Sequence, residues 1–140
     1  MDYLFTETES KDTGWITIDI TPQTSPRPRL GKFGAYMPAK YKAYKDCIIY
    51  ELGKHNIKPD DYSEIEIIAH FPYPASTPKK RLIDGAKMRK KPDYDNTAKT
   101  ISDCLETMGI INNDSQLSDG TCRKRYTTNR EGRIEFKLKL

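Results

Sequence analysis

Between Pro92 and Gly109 the sequence writes both ends of one helix, and that stretch constrains the rest of the chain. Pro92 pushes Lys91 out of helical geometry, so the chain arrives extended. Asp93 suits the N-cap; Ala98, Ile101, Leu105 and Met108 then form an apolar stripe at helical spacing. Gly109 suits the residue just past the end, with Ile110 able to pack back on the helix. A helix apolar on one side needs a second layer to cover that side.

Three stretches supply it. Trp15 to Ile20 alternates, with Ile16, Ile18 and Ile20 on one face. Glu64 to Phe71 does the same through Ile65, Ile67, Ala69 and Phe71, and Arg133 to Leu140 through Ile134, Phe136, Leu138 and Leu140. Period two marks strands with one buried side. A second helix is expected from Pro38, suited to the first helical position, to Gly53, suited to the residue past the end. Its stripe is Tyr41, Tyr44, Ile48 and Leu52, read as core-facing rather than as a base-stacking surface. Gln116 to Thr127 carries a weaker strand pattern, and Asn129-Arg-Glu-Gly132 reads as a hairpin turn joining it to the last strand as an antiparallel pair. The order is β-α-β-loop-α-β-β. That predicts an α+β fold: a mixed β-sheet with two main helices packed on one face.

At 140 residues this is one domain. No apolar run approaches the roughly 20 residues that cross a bilayer, and Met1-Asp2-Tyr3 lacks the basic start of a secretory signal, so a cytoplasmic protein is expected. Cys47, Cys104 and Cys122 are scattered without C-x-x-C spacing, which argues for reduced thiols rather than disulfides or zinc. His55 and His70 have no metal-binding spacing and receive no role.

Net charge is +4, unevenly placed. Residues 1–14 carry −3 and read as a poorly ordered acidic tail, leaving +7 on a domain of residues 15–140. A basic body with an acidic tip suggests a polyanionic partner. Two segments concentrate the charge. Pro26 and Pro28 hold Arg27 and Arg29 on a stiff arm within a Pro-, Arg- and Gly-rich loop over 21–37. Residues 72–91 form a long aperiodic loop bearing Lys79, Lys80, Arg81, Lys87, Arg89, Lys90 and Lys91 against Asp84 alone. Like charges at that density repel unless a polyanion neutralises them, so this loop is read as the DNA-holding segment.

The loop feeds straight into Asp93 and Asp95. Within a helix these two would point about 200° apart, so both reach one ion only if Asp93 is the non-helical cap. Lys99 lies one turn beyond Asp95, and the helix N-terminus favours ionised carboxylates. Asp114 follows in the turn Ile111-Asn112-Asn113-Asp114, and would join the pair if the next strand runs back beside the helix start. Three carboxylates suit Mg²⁺, with Mn²⁺ able to substitute, and such an ion acidifies water and stabilises charge on a phosphoryl oxygen. Lys99 would neutralise charge on the pentavalent phosphate or the leaving oxygen. EF-hand spacing is excluded: counting from Asp93, position 6 is Ala98 and position 12 is Cys104.

The residues Lys91-Pro-Asp-Tyr-Asp-Asn-x-x-Lys99, Asp103-x-Leu105, Asn113-Asp114-Ser115-Gln116 and Lys124-Arg-Tyr126 resemble the RusA family of Holliday junction resolvases. The arm Pro26-Arg-Pro-Arg29 and Tyr36-Met-Pro38 is similar to the family's N-terminal segment, so the resemblance spans roughly residues 20–127. It implies a homodimeric, Mg²⁺-dependent endonuclease cutting four-way junctions symmetrically. It also implies metal coordination by Asp93, Asp95 and Asp114 and catalysis by these with Lys99; Lys124 and Arg125 join the loop and arm cations as candidate DNA contacts. One departure is Asn113, where the family usually has a second aspartate; it bears on metal affinity rather than on the catalytic carboxylate. Asp103 also matches, with a structural role expected from its mid-helix position. The dimer surface is expected on the first helix or on the sheet face away from it. Two other readings stay open: a catalytically silent nucleic-acid-binding module, and a nuclease for flaps or other branched DNA.

Overall fold

The computed structural model describes residues 12–23, 29–36 and 38–140. Six strands and two α-helices lie among them: β1 (Ile16–Ile18), β2 (Arg29–Gly31), β3 (Gly34–Tyr36), α1 (Ala39–Gly53), β4 (Glu64–Pro72), α2 (Tyr94–Thr107), β5 (Asp119–Thr127) and β6 (Arg133–Lys139). Four strands form one mixed sheet in the order β1-β6-β4-β5. β4 and β5 are parallel, and β6 runs antiparallel to both β4 and β1. A parallel pair needs a crossover, and the basic loop with α2 provides it. The α+β class and the helices' common face agree with the sequence pattern.

The core lies between that face and the helices. Ile16 and Ile18, Ile65 and Ile67, and Ile134, Phe136 and Leu138 meet Tyr41, Tyr44, Ile48 and Leu52 of α1 and Ile101, Cys104 and Leu105 of α2. The Tyr41 and Tyr44 rings are therefore core residues; the Tyr41 hydroxyl pairs with Thr100 Oγ1 at 2.9 Å, tying α1 to α2. Burial pushes the Tyr44 hydroxyl up to about 12. The Cys104 thiol rises to about 11 for the same reason, consistent with a packing role. Pro38 is the N-cap of α1 rather than its first residue, and Gly53 closes the helix rather than following it.

The expected C-terminal hairpin does not form. β6 sits in the middle of the sheet between β1 and β4, and the 128–132 connection passes over the end of β4. Burial explains the choice. Ile134, Phe136 and Leu138 are wholly buried, as suits an interior strand, whereas β5 buries only Thr127 and carries Arg123, Lys124 and Arg125, as suits an edge. Gly132 makes the passage possible, since a Cβ there would lie 2.3 Å from the His70 carbonyl oxygen and 3.0 Å from Pro22 Cδ.

Two loop readings also change. Part of the 21–37 segment is a hairpin, β2 with β3, whose three-residue strands leave no alternation to read. Residues 12 and 13, assigned to the acidic tail by charge, join the sheet: Asp12 bridges Lys139, and the Thr13 N–H donates to the Leu138 carbonyl at 2.9 Å. Residues 1–11 of that tail lie outside the described residues.

Candidate active site

Asp93 caps α2 with extended backbone (φ −67°, ψ 155°), the non-helical geometry that the motif requires. Its side chain makes no capping hydrogen bond. Among the described residues neither Asp93 nor Asp95 has a side-chain hydrogen bond or ion pair, and both are exposed. Two uncommitted carboxylates thus sit at the positive end of a 14-residue helix. Lys99 is exposed one turn further along the same face.

At its other end α2 closes on Gly109 (φ +76°), the glycine-favoured conformation. The Ile110 N–H donates to Leu105 O at 3.0 Å and the Gly109 N–H to Glu106 O at 3.0 Å, a Schellman closure with Ile110 and Leu105 both buried. The chain then makes a 3₁₀ turn, Asp114–Gln116. Asn113 caps this turn: its Oδ1 accepts from the Ser115 N–H at 3.0 Å and from the Ser115 hydroxyl. An uncharged cap suffices where the family usually has an aspartate.

This turn holds Asp114 at the far end of the helix. Its N–H donates to Glu106 Oε1 at 3.0 Å. From Asp95 to Glu106 the helix rises about 16 Å, whereas ligands to one Mg²⁺ lie about 4 Å apart. β5 does run back beside α2, but Asp114 precedes it, so the return does not bring the third carboxylate to the other two. Among the described residues no group of three acidic, histidine or cysteine side chains could hold a metal. Asp93 and Asp95 are the two carboxylates here that could hold a divalent cation, since such an ion can be bound by one or two carboxylates together with phosphate oxygens and water.

The basic loop is anchored rather than structureless. Its Gly85 N–H donates to Tyr126 O at 2.8 Å, the Tyr126 N–H to Ala86 O at 2.8 Å and the Met88 N–H to Lys124 O at 3.2 Å, so residues 85–88 run along the outer edge of β5. Asp84 accepts from the Thr128 N–H at 3.0 Å, and this bond is the main cause holding its carboxyl below the ordinary value. The Tyr73 hydroxyl donates to Ile83 O at 2.7 Å and accepts from the Ile83 N–H. The Tyr73 and Tyr126 rings stack at 4.3 Å, and with Ser76, Thr77, Arg81 and Lys90 they line a groove of about 480 Å³. Sequence reading missed Tyr73 because it lies far from Tyr126 along the chain.

Lys79, Lys80, Arg81, Lys87, Arg89, Lys90 and Lys91 are all exposed, leaving their charges available to a polyanion. Arg27 lies outside the described residues, and Arg29 begins β2. Lys124 and Arg125 differ from the loop cations. The Lys124 ammonium donates to the carbonyls of Lys90 at 2.5 Å and Pro92 at 2.7 Å, and Arg125 Nη1 donates to Lys124 O at 2.9 Å. Asp103 lies 3.9 Å from Lys45 of α1, a pairing between the helices consistent with a structural role. His70 donates across the sheet to Glu135 Oε1 at 2.5 Å.

The sequence matches the family model for endodeoxyribonuclease RusA over residues 19–139. This chain belongs to the RusA family. The match takes in both helices, three strands of the four-stranded sheet (β4, β5 and β6) and all four candidate catalytic residues. RusA proteins are endodeoxyribonucleases, so the basic loop and the acidic helix start belong to a DNA-cutting fold. No curated protein matches this RusA sequence at a significant level. No helix among the described residues is long and apolar enough to cross a membrane.

Proposed function

We propose that this RusA protein is a Mg²⁺-dependent endonuclease that resolves four-way DNA junctions as a homodimer. The observation that carries this reading is that Asp93 and Asp95 stand uncommitted at the positive end of α2, directly after a basic loop. The loop cations hold the phosphate backbone and deliver one strand to the helix start. Lys99 faces the negative charge that builds on phosphate during cleavage. When bound, the ion supplies acidification of water and neutralisation at the phosphate, and Mn²⁺ serves in its place.

The far placement of Asp114 supports the homodimer. Asp95, Lys99, Ser102 and Glu106 fall within about 60° on the helix circumference, so the face that carries the catalytic pair at one end carries the Glu106–Asp114 corner at the other. Two copies approaching along this face with their α2 helices antiparallel would bring Asp114 of the partner subunit to Asp93 and Asp95. A two-fold pair completes both sites at once and matches the symmetry of a junction cut at two opposed strands. This pairing surface is α2 and the Asp114 corner rather than α1 or the outer sheet face expected from sequence. The outer face is laced instead by pairs such as Arg123–Glu66 at 3.4 Å and Lys137–Glu66 at 3.7 Å.

The test is a synthetic four-way junction incubated with Mg²⁺, with EDTA, and with the Asp95→Asn variant in Mg²⁺. Paired nicks are expected only for wild type with Mg²⁺, and the variant should retain binding. Binding without cleavage in all three would make the protein a silent DNA-binding module. Faster cutting of a flap than of a junction would reassign the substrate.

A further inference from the structure

Lys124 looks by sequence like one more phosphate-binding cation, but its ammonium is turned inward. It is half-buried on β5, held in register by the pairing of Lys124 with Ala69 of β4. An ammonium has three donors, and two of these engage Lys90 O at 2.5 Å and Pro92 O at 2.7 Å. Its own carbonyl accepts from the Met88 N–H at 3.2 Å. One residue of a rigid strand therefore grips the last turn of the basic loop at three points, Met88, Lys90 and Pro92. The next residue is Asp93, whose carboxylate no other protein group holds among the described residues.

We propose that Lys124 is a positioning residue for the acidic site: it fixes the chain leading into Asp93, and so the place of the Asp93 and Asp95 carboxylates, without touching DNA. This rests on the nuclease reading above. Charge-assisted bonds to carbonyls are stronger than neutral ones, so the ammonium suits the task of clamping a turn whose own side chains are cationic. The strand supplies rigidity that the loop lacks, the arrangement by which groups behind a metal site orient its ligands.

The experiment compares full-length wild type with Lys124→Met, Lys124→Arg and, as a control for lost charge, Arg123→Met, whose guanidinium pairs with Glu66 instead. Three quantities are read: Mn²⁺ affinity by electron paramagnetic resonance without DNA, the slope of log junction affinity against log salt without divalent ions, and the Mg²⁺ concentration for half-maximal cleavage. For Lys124→Met, Mn²⁺ affinity should fall about 10-fold or more and the Mg²⁺ requirement rise in step. Its salt slope should stay at the wild-type value. Lys124→Arg should recover part of the affinity, and Arg123→Met should leave it unchanged. A slope reduced by about 0.9 with unchanged Mn²⁺ affinity would make Lys124 a phosphate contact and overturn the proposal.

Should Lys124→Met not fold, the wild-type protein answers through the ¹⁵N resonance of the Lys124 ammonium. Slow proton exchange that is unaltered by junction DNA supports the clamp; fast exchange, or a shift on adding DNA, refutes it. If wild type itself neither binds Mn²⁺ nor cleaves, the nuclease reading fails, while the ammonium resonance still decides whether Lys124 holds the turn.

Discussion

The Asp114 N–H donates to the side chain of Glu106 at 3.0 Å, which fixes the third aspartate beside the last turn of α2 while Asp93 and Asp95 stand at its first. Completing the site across a dimer gives the first prediction. Asp95→Asn and Asp114→Asn homodimers should both be inactive. Mixed after subunit exchange, they should regain single-strand nicking at about a quarter of the wild-type site concentration, because each heterodimer keeps one intact site. A site built within one chain predicts no recovery. Native electrophoresis of tagged subunits verifies that exchange has taken place.

The loop cations give the second. Lys87, Arg89 and Lys91 are exposed and lead straight to the site. Each phosphate contact contributes about 0.9 to the slope of log affinity against log salt. Reversing all three to glutamate should lower that slope by up to about 3, measured by fluorescence anisotropy with labelled junction. An unchanged slope would place the DNA elsewhere on the surface.

Gly132 gives the third, about stability alone. A Cβ at 132 meets the His70 carbonyl oxygen at 2.3 Å, a backbone atom of the sheet that cannot swing aside. Gly132→Ala should cost about 3 kcal/mol and lower Tm by roughly 10 °C. Gly53 closes α1 with nothing within 4 Å of its missing Cβ, so Gly53→Ala should be neutral or stabilising by up to about 1 kcal/mol. Differential scanning calorimetry of the two variants separates the steric effect from loss of glycine as such.

The fourth concerns pH. His70 is buried, and desolvation, followed by the nearby Arg133 charge, lowers its pKa below 6.5 despite the bond to Glu135. A depressed histidine pKa means that the unfolded chain holds a proton the folded one lacks, between the folded value and 6.5. Stability from this group is therefore complete above 6.5 and declines as pH falls through 6.5 toward the folded value. Asp84, also lowered, acts below the ordinary carboxylate value of 3.8 and leaves that window clear. Urea midpoints at pH 7 and pH 5 should differ more for wild type than for His70→Gln. Equal differences would mean His70 stays as accessible to protons as in the unfolded chain.

What the sequence determined by itself is what short-range chemistry can write. Both ends of α2 follow from Pro92, Asp93 and Gly109, and the apolar stripes of both helices and the alternation of three strands name nearly the whole core. These signals act within about ten residues, so no partner segment is needed to read them. The same holds for the cap geometry of Asp93 and for the charge of the loop.

Tertiary structure decided everything that depends on which segments meet. Strands β5 and β6 are neighbours in sequence, yet β6 takes the centre of the sheet because its inward side chains are the more apolar and β5 is rich in charge. No local pattern shows that Lys124 turns inward to Lys90 and Pro92, since from its spacing alone a basic side chain beside DNA-binding neighbours reads as another phosphate contact. Nor does a turn motif say which end of a helix it will occupy. The length of α2, with a closure that turns the chain back after Glu106, puts Asp114 beside the last turn of the helix, whereas the carboxylates it resembles in sequence stand at the first.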